Sequence, residues 1–292
     1  MKKSIKKFLQ KYDEYGRMIY FYNRLSFLWK SDRKYYEKAY KRFFGKELNL
    51  DSPKTFNEKI IRRILFDKKE IYSKLADKYL VREWVRKKIG EEYLIKLYEV
   101  YDSADQIDLK SLPREFVLKC NHDSGSVIVC DDKEKFDIKK AKKKLGIFLK
   151  RNFYYMTREW HYKNIKPRII CEEKLKNITD YKFHCFNGEP KYLEVVFNRF
   201  KNRRQNVYDM DWKLVPFQMG EDKNTSKEIL KPNNFEEMKK IVRELSNEFD
   251  YCRVDLYNDN GKIKFGEITF TPAMGLDTIP YEFNKHLGSL WK

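Results

Sequence analysis

The sequence predicts an α+β chain in which a helical N-terminal region precedes strand-rich segments that fold back as hairpins. Three observations carry this. After residue 51 apolar residues recur at helical spacing, at Ile60, Ile61, Ile64 and Leu65 and again at Ile71, Tyr72 and Leu75. Two pairs of β-rich runs are each joined by an Asn-Gly turn, 181–186 with 191–197 across Asn187-Gly188, and 252–257 with 262–269 across Asn258-Asp259-Asn260-Gly261. Between them a single helical run covers 234–249.

Taken in order, residues 1–50 form a basic aromatic arm. Lys2, Lys3, Lys6, Lys7 and Lys11 mix with Ile5, Phe8 and Leu9, and Met18 to Trp29 carries Tyr20, Phe21, Tyr22, Leu25, Phe27 and Leu28. Such interleaving suits a helix lying at an anionic membrane surface, a reading that applies to 1–45. It equally suits aromatics packed on the body. Residues 51–115 read as a helical region opened by Ser52-Pro53-Lys54-Thr55-Phe56-Asn57-Glu58-Lys59. Its last helix runs through Leu80, Val81, Trp84 and Val85 and is C-capped by Gly90. Strands follow at 115–120 and 126–130, then a basic amphipathic helix over 137–152 and a strand over 168–175. In the 234–249 helix, Asn234 and Glu237 are spaced as a capping box. There is no internal repeat.

The chain has 292 residues, 41% hydrophobic and 16% aromatic, enough for a folded core. Its 63 basic and 44 acidic side chains leave +19, a field that attracts polyanions without choosing among nucleotides, acidic glycans, nucleic acid and anionic membranes. No recognisable nucleic-acid motif accompanies the charge, so nucleic acid is not an expected partner. The five cysteines (Cys120, Cys130, Cys171, Cys185 and Cys252) form no CxxC pair and sit mostly in apolar runs, as small hydrophobes in a reducing compartment would. No apolar run reaches the ~18 residues of a membrane span, and residues 1–10 lack the apolar core of a secretory signal. The expected location is cytoplasmic.

The chemistry is concentrated at the last hairpin. Alternation puts Arg253 and Asp255 on one strand face and Glu267 and Thr269 on one face of its partner. If the faces match, two carboxylates, a hydroxyl and a guanidinium converge. Hard oxygen ligands of this kind hold Mg²⁺, which commonly also takes substrate phosphates. The carboxylates are expected to be exposed. The same residues also suit a solvated hairpin with a cross-strand ion pair. A second stretch runs from Phe116 to Val129. Lys119 sits on a strand before Ser124-Gly125-Ser126, whose backbone N–H groups and hydroxyls could cradle phosphate oxygens; an ordinary turn is the alternative. The strand ending at Glu172 and Glu173 could meet a purine and ribose hydroxyls. Arg199, Arg203 and Arg204 form a basic cluster able to meet a phosphate or an acidic substrate. His122 and His184 lack metal-ligand spacing, so zinc is not indicated.

In order along the chain, a lysine with a small-residue loop, a Glu-Glu strand end, Arg-x-Asp and Glu-x-Thr resemble the ATP-grasp superfamily, and most closely its teichuronopeptide-biosynthesis (TupA-like) family. The likeness runs from about residue 50 to the end. It is carried by Thr55-Phe56-Asn57-Glu58-Lys59, Leu75-Ala76-Asp77-Lys78-Tyr79, Phe116 to Ser126, Asp180-Tyr181-Lys182-Phe183, Phe186-Asn187-Gly188-Glu189-Pro190, Arg253-Val254-Asp255 and Gly266-Glu267. The resemblance implies an ATP-grasp fold over 116–292, with a lid over about 116–172 and a C-terminal subdomain over about 173–292, the two clasping ATP. It implies that Lys119 meets ATP phosphates and that Ser124, Gly125 and Ser126 close over them. Glu172, Glu173 and Leu175 would line the adenosine pocket, with Lys182 near a position that faces the nucleotide. Asp255 and Glu267 would hold Mg²⁺, and Arg253 would face the acyl phosphate and the tetrahedral intermediate. Thr269 stands where the superfamily usually has Asn, a weaker ligand that puts a second metal site in question.

The activity implied is carboxylate–amine ligation using ATP and Mg²⁺. The family association points to surface polysaccharide assembly. The acceptor would then be the carboxylate of an acidic glycan or lipid-linked glycan, such as a uronic acid, and the amine an amino acid or amino alcohol. Peripheral association with the inner face of the membrane goes with this. Two other enzyme classes stay open. An ATP-grasp kinase would share the nucleotide site. A capsule glycosyltransferase would use a DxD-type metal motif, which Asp209-Met210-Asp211 spells; Trp212 and the lack of a preceding apolar strand read instead as a turn.

Overall fold

A computed structural model describes residues 14–176, 178–197, 204–220, 225 and 229–292 of the chain. Arg199 and Arg203 of the basic cluster, and the lysines of residues 1–13, lie outside the described residues. The chain divides into two compact units. One comprises Met1–Tyr35, Lys68–Arg82 and Ile95–Lys174; the other comprises Tyr36–Asp67, Glu83–Leu94 and Leu175–Lys292.

The first unit is built on a four-stranded antiparallel sheet of β1 (Leu97–Tyr101), β2 (Phe116–Cys120), β3 (Ile128–Cys130) and β4 (Ile169–Glu172), in the order β1-β4-β2-β3. Alternation divides β2 cleanly: Phe116, Leu118 and Cys120 are buried and Val117 and Lys119 face the other way. The buried set joins Ile169 and Cys171 of β4 and Leu145 and Phe148 of a helix to form the core. That helix spans Ile138–Leu149 and starts where the Asp137 carboxylate accepts from Lys140 N at 2.9 Å. The strand expected over 168–175 is shorter, because Glu173 already turns to bond Lys96 O.

The arm expected over 1–50 is helical where it is described. It contains α1 (Glu14–Ser26) and α2 (Asp32–Phe44), with Tyr36 and Tyr40 of α2 buried. On α1 the two readings divide by face. The Tyr20 hydroxyl accepts from Asn152 N at 2.9 Å, and the Phe27 ring just beyond the helix meets Tyr154 and Tyr155 edge-on at 5.7 Å. Met18, Phe21, Tyr22, Leu28 and Trp29 are exposed. α3 (Phe56–Phe66), α4 (Glu70–Ala76), α5 (Val81–Ile89), α6 (the Ile138–Leu149 helix) and the one-turn α7 (Tyr154–Thr157) follow. Among the described residues no helix is long and apolar enough to cross a membrane.

The second unit is a five-stranded antiparallel sheet of β5 (Thr179–Phe186), β6 (Glu189–Phe197), β7 (Arg204–Asp209), β8 (Tyr251–Asp259) and β9 (Lys262–Thr269), ordered β7-β6-β5-β8-β9. The Asn-Gly pairs turn as their composition requires, with positive φ at Asn187 (50°), Gly188 (80°), Asn260 (53°) and Gly261 (88°). Helix α8 (Phe235–Ser246) covers one face, with Phe235 stacked on Phe183 at 6.1 Å. Helix α3 covers part of the other, where Phe56 meets Phe186 at 6.1 Å and Tyr251 at 4.9 Å. α9 (Tyr281–Leu290) packs against α3, where Asn57 N donates to the Asn284 side chain.

Two expectations need correction here. A capping box is found at α3, where Thr55 accepts from Glu58 N and the Glu58 carboxylate accepts from Thr55 N. At α8 Asn234 makes no such bond: its amide donates to Gly261 O and its oxygen accepts from Asn258, so it holds the β8–β9 turn instead. Asp209-Met210-Asp211 is a turn, but a strand does precede it, with Val207 and Tyr208 buried in β7. The Asp209 carboxylate is taken up by the turn, accepting from Asp211 N at 3.0 Å and Lys213 N at 2.9 Å.

Candidate active site

In the first unit, Lys119 projects from β2 on the face away from the core and meets Glu172 of β4 at 2.5 Å. Arg82 meets the same carboxylate at 3.3 Å and is itself anchored on Ile95 O at 2.7 Å. Glu172 is thus a buried acid between two cations, and it sets where the Lys119 ammonium stands. Arg82 is a residue the motifs did not indicate. Glu173 belongs to this unit and Leu175 to the other, so the chain passes between units within the segment expected to meet adenosine.

The loop after β2 is tied to the Leu75-Ala76-Asp77-Lys78-Tyr79 segment. Asn121 donates to Asp77 Oδ1 at 2.9 Å, Lys78 N donates to Asn121 O, and Lys78 Nζ donates to Asp123 O at 2.5 Å. Gly125 adopts φ +107°, a conformation open to glycine. Ser124 is exposed, but Ser126 is buried and its hydroxyl is committed. It donates to Asp123 Oδ1 at 2.6 Å and accepts from Cys120 N at 2.8 Å. A hydroxyl has one proton to give, so Ser126 shapes the loop and has none left for a phosphate oxygen.

In the second unit the hairpin faces match. Arg253 pairs across with Thr269, and Asp255 with Glu267. The match depends on a bulge: Leu256 pairs with Phe265 and Asp255 with Glu267, so Gly266 is the extra residue. Without it Asp255 would face residue 266, and Glu267 would point into the sheet core. A Cβ at Gly266 would stand 3.0 Å from both Asp255 O and the Tyr257 ring, so glycine is what fits. Gly266→Ala is therefore expected to open the bulge. Turnover should fall at least tenfold while stability falls by only about 1–3 kcal/mol, measured by urea unfolding beside steady-state assay.

Asp255 is buried, contrary to the expected exposure. Arg253 grips it with both prongs, Nε to Oδ1 at 2.7 Å and Nη2 to Oδ2 at 2.9 Å, and reaches Thr269 Oγ1 at 3.3 Å. Lys182 of β5 bonds the same carboxylate and also Asp180 at 2.8 Å. Burial pushes the Asp255 carboxyl up, but Arg253 and Lys182 outweigh it and hold it below its usual value. Burial opposes the Lys182 charge, yet Asp180 and Asp255 hold its ammonium above the ordinary lysine value. Both groups are charged at neutral pH. One rung along, His184 bonds Glu194 at 2.8 Å and the Tyr251 hydroxyl at 2.9 Å. This buried trio fixes β5, β6 and β8 beside the site and was not legible as a motif. Arg204 is exposed at the start of β7, and Leu175 is buried.

Among the described residues no three carboxylate, thiol or imidazole side chains converge as a self-sufficient metal site. Asp255 and Glu267 stand opposite one another on the hairpin, and both oxygens of Asp255 already accept from Arg253 or Lys182.

A family model described as TupA-like ATPgrasp matches residues 58–292. The chain belongs to the TupA-like ATP-grasp family. Two of the segments on which the likeness was read make contacts within their units: Thr55–Lys59 with Phe186, and Leu75–Tyr79 with the Asn121 loop. Similar solved structures include D-alanine–D-alanine ligase from Bacillus anthracis complexed with ATP, at 12% identity and TM-score 0.43, covering 75% of this chain and 63% of that one. N5-carboxyaminoimidazole synthetase from Staphylococcus aureus is similar at 14% identity and TM-score 0.40, covering 68% and 44%. The ATP-grasp ligase PsnB, complexed with a minimal precursor, gives 7%, 0.38, 69% and 54%. The chain therefore spans 44–63% of the length of these proteins. No curated protein matches it.

Proposed function

We propose that this TupA-like ATP-grasp protein is an ATP- and Mg²⁺-dependent carboxylate–amine ligase acting on a uronic-acid-containing surface polysaccharide or its lipid-linked precursor. A substrate carboxylate attacks the γ-phosphate of ATP, giving an acyl phosphate and ADP. An amine, from an amino acid or amino alcohol, then displaces phosphate and leaves an amide. The observation that carries this reading is the in-register set of Arg253, Asp255, Glu267 and Thr269, with Lys182 on the same carboxylate.

Each side chain has a task in that chemistry. Asp255 and Glu267 would hold Mg²⁺, which when bound supplies positive charge against the nucleotide phosphates. Lys119 and the backbone of Ser124 and Gly125 would neutralise and enclose phosphate oxygens. Glu172, Glu173 and Leu175 would line the adenosine pocket. Arg253, its geometry fixed by Asp255, would offset charge on the acyl phosphate and the tetrahedral intermediate. Arg199, Arg203 and Arg204, with the +19 net charge, suit an acidic acceptor. A lipid-linked acceptor places the enzyme at the inner face of the membrane.

The test is ADP release against a panel of uronic acids and amines, with hydroxylamine as a surrogate amine. The expected result is ADP formation that needs an acid, with a hydroxamate when hydroxylamine is present. Acid-dependent ADP release without hydroxamate, and with a phosphorylated product, would favour an ATP-grasp kinase. Glycosyl transfer without ADP would overturn the reading; the use of Asp209 within its own turn speaks against that outcome.

A further inference from the structure

The face of α1 that turns away from the body is apolar. Met18, Phe21, Tyr22 and Leu25 recur at helical spacing, and Leu28 and Trp29 continue the stripe into the turn that follows. Their exposures are large: 70% for Met18, 61% for Phe21, 64% for Tyr22, 37% for Leu25, 71% for Leu28 and 74% for Trp29. At 3.6 residues per turn the helical members fall within about 100° of arc, the width of a core-facing stripe. This is not a helix that failed to pack. Its opposite side is already engaged, through Tyr20 to Asn152 N, Asn23 to Met156 and Arg24 over the Tyr155 ring.

A patch of this kind marks an interaction surface, and its chemistry selects the partner. No acidic residue lies between Tyr15 and Ser31, whereas Arg17, Arg24 and Lys30 do. Asp32, the next acid, is taken by Arg158 at 3.1 Å. Tyr and Trp on the stripe suit the headgroup level, where an aromatic ring meets apolar and polar surroundings together. A second copy of a chain carrying +19 would bring like charge against like.

We propose that α1 docks the protein on an anionic bilayer. The helix lies in the plane of the surface, with Met18, Phe21, Tyr22, Leu25, Leu28 and Trp29 at the boundary of headgroups and acyl chains, and the basic character of the segment favours anionic headgroups. Tyr20, Asn23 and Phe27 hold it on its own unit meanwhile. This rests on the membrane location proposed above and not on the ligase chemistry.

The test is sedimentation of the full chain with vesicles of phosphatidylcholine, alone or mixed with phosphatidylglycerol. Binding is expected to the mixed vesicles only and to weaken as salt rises. The triple variant Phe21→Ser, Leu28→Ser, Trp29→Ser should bind at least tenfold more weakly with an unchanged unfolding midpoint. Lipids brominated near the acyl boundary should quench tryptophan fluorescence in the wild type, and quench less in Trp29→Phe, which keeps its binding. Wild-type indifference to anionic vesicles, equal binding by the triple variant, or absence of quenching would overturn the proposal. So would a wild-type dimer that the triple variant splits while neither binds vesicles. ADP release from a soluble acid should be the same in all these proteins, so a failure here is distinct from a failure of the ligase reading.

Discussion

Glu267→Gln is expected to cut ADP release by orders of magnitude, roughly 100-fold or more at saturating ATP, with little change in stability. Glu267 is half-buried on the edge strand β9, and the substitution keeps its shape while removing the charge a cation needs. Asp255→Asn should lose as much turnover but behave differently in unfolding. Asp255 is buried between Arg253 and Lys182, so neutralising it leaves both cations short of a counter-charge. A loss of about 3 kcal/mol in stability is expected. The pair of variants therefore separates chemistry from fold: turnover collapses in both, and urea unfolding shifts strongly in only one. Thr269→Asn should be tolerated, because an amide oxygen can accept from Arg253 as the hydroxyl does. A Mg²⁺ titration of ADP release across the three variants reads all of this. Near-wild-type turnover in both carboxylate variants would remove the hairpin from the site.

Lys119→Ala should weaken MgATP binding at least tenfold, about 1.4 kcal/mol, by calorimetry. The fold should survive, since Glu172 keeps Arg82 as its partner. Glu172→Gln is the instructive companion. It removes the acid that positions Lys119 and that is proposed to line the adenosine pocket, so nucleotide affinity should fall by either route although the lysine remains. Unchanged affinity in folded Lys119→Ala would exclude that lysine from nucleotide binding.

What the sequence revealed of this fold follows from the range of the interactions. The Asn187-Gly188 and Asn260-Gly261 hairpins were legible because a turn and its flanking alternation are local. That Arg253 and Asp255 share one face, and Glu267 and Thr269 one face of the partner strand, followed from the same alternation. Yet the count of residues around the turn could not reveal that Gly266 is bulged out, since a bulge is defined by its partner strand. Strand β1 was missed because its burial does not alternate. Arg82 lies ninety positions from Glu172, and His184 finds Tyr251 across sixty-seven; no spacing rule links such pairs. Asn234 misled because a residue suited to capping is equally suited to holding a turn, and here the β8–β9 turn took it. Asp255 was expected to be exposed because carboxylates usually are, whereas two cations on adjacent strands make its burial tolerable.

The central claim is that a substrate carboxylate is activated as its acyl phosphate. The direct measurement uses an acceptor acid that supports ADP release, labelled with ¹⁸O in its carboxylate, and follows the label during amide formation. Attack of the carboxylate on the γ-phosphate carries one labelled oxygen into the bond to phosphorus. Displacement by the amine then releases that oxygen in inorganic phosphate. The account predicts one ¹⁸O in the phosphate for each amide formed. Amide formation with unlabelled phosphate, or label retained wholly in the acceptor while ADP is released, would contradict it.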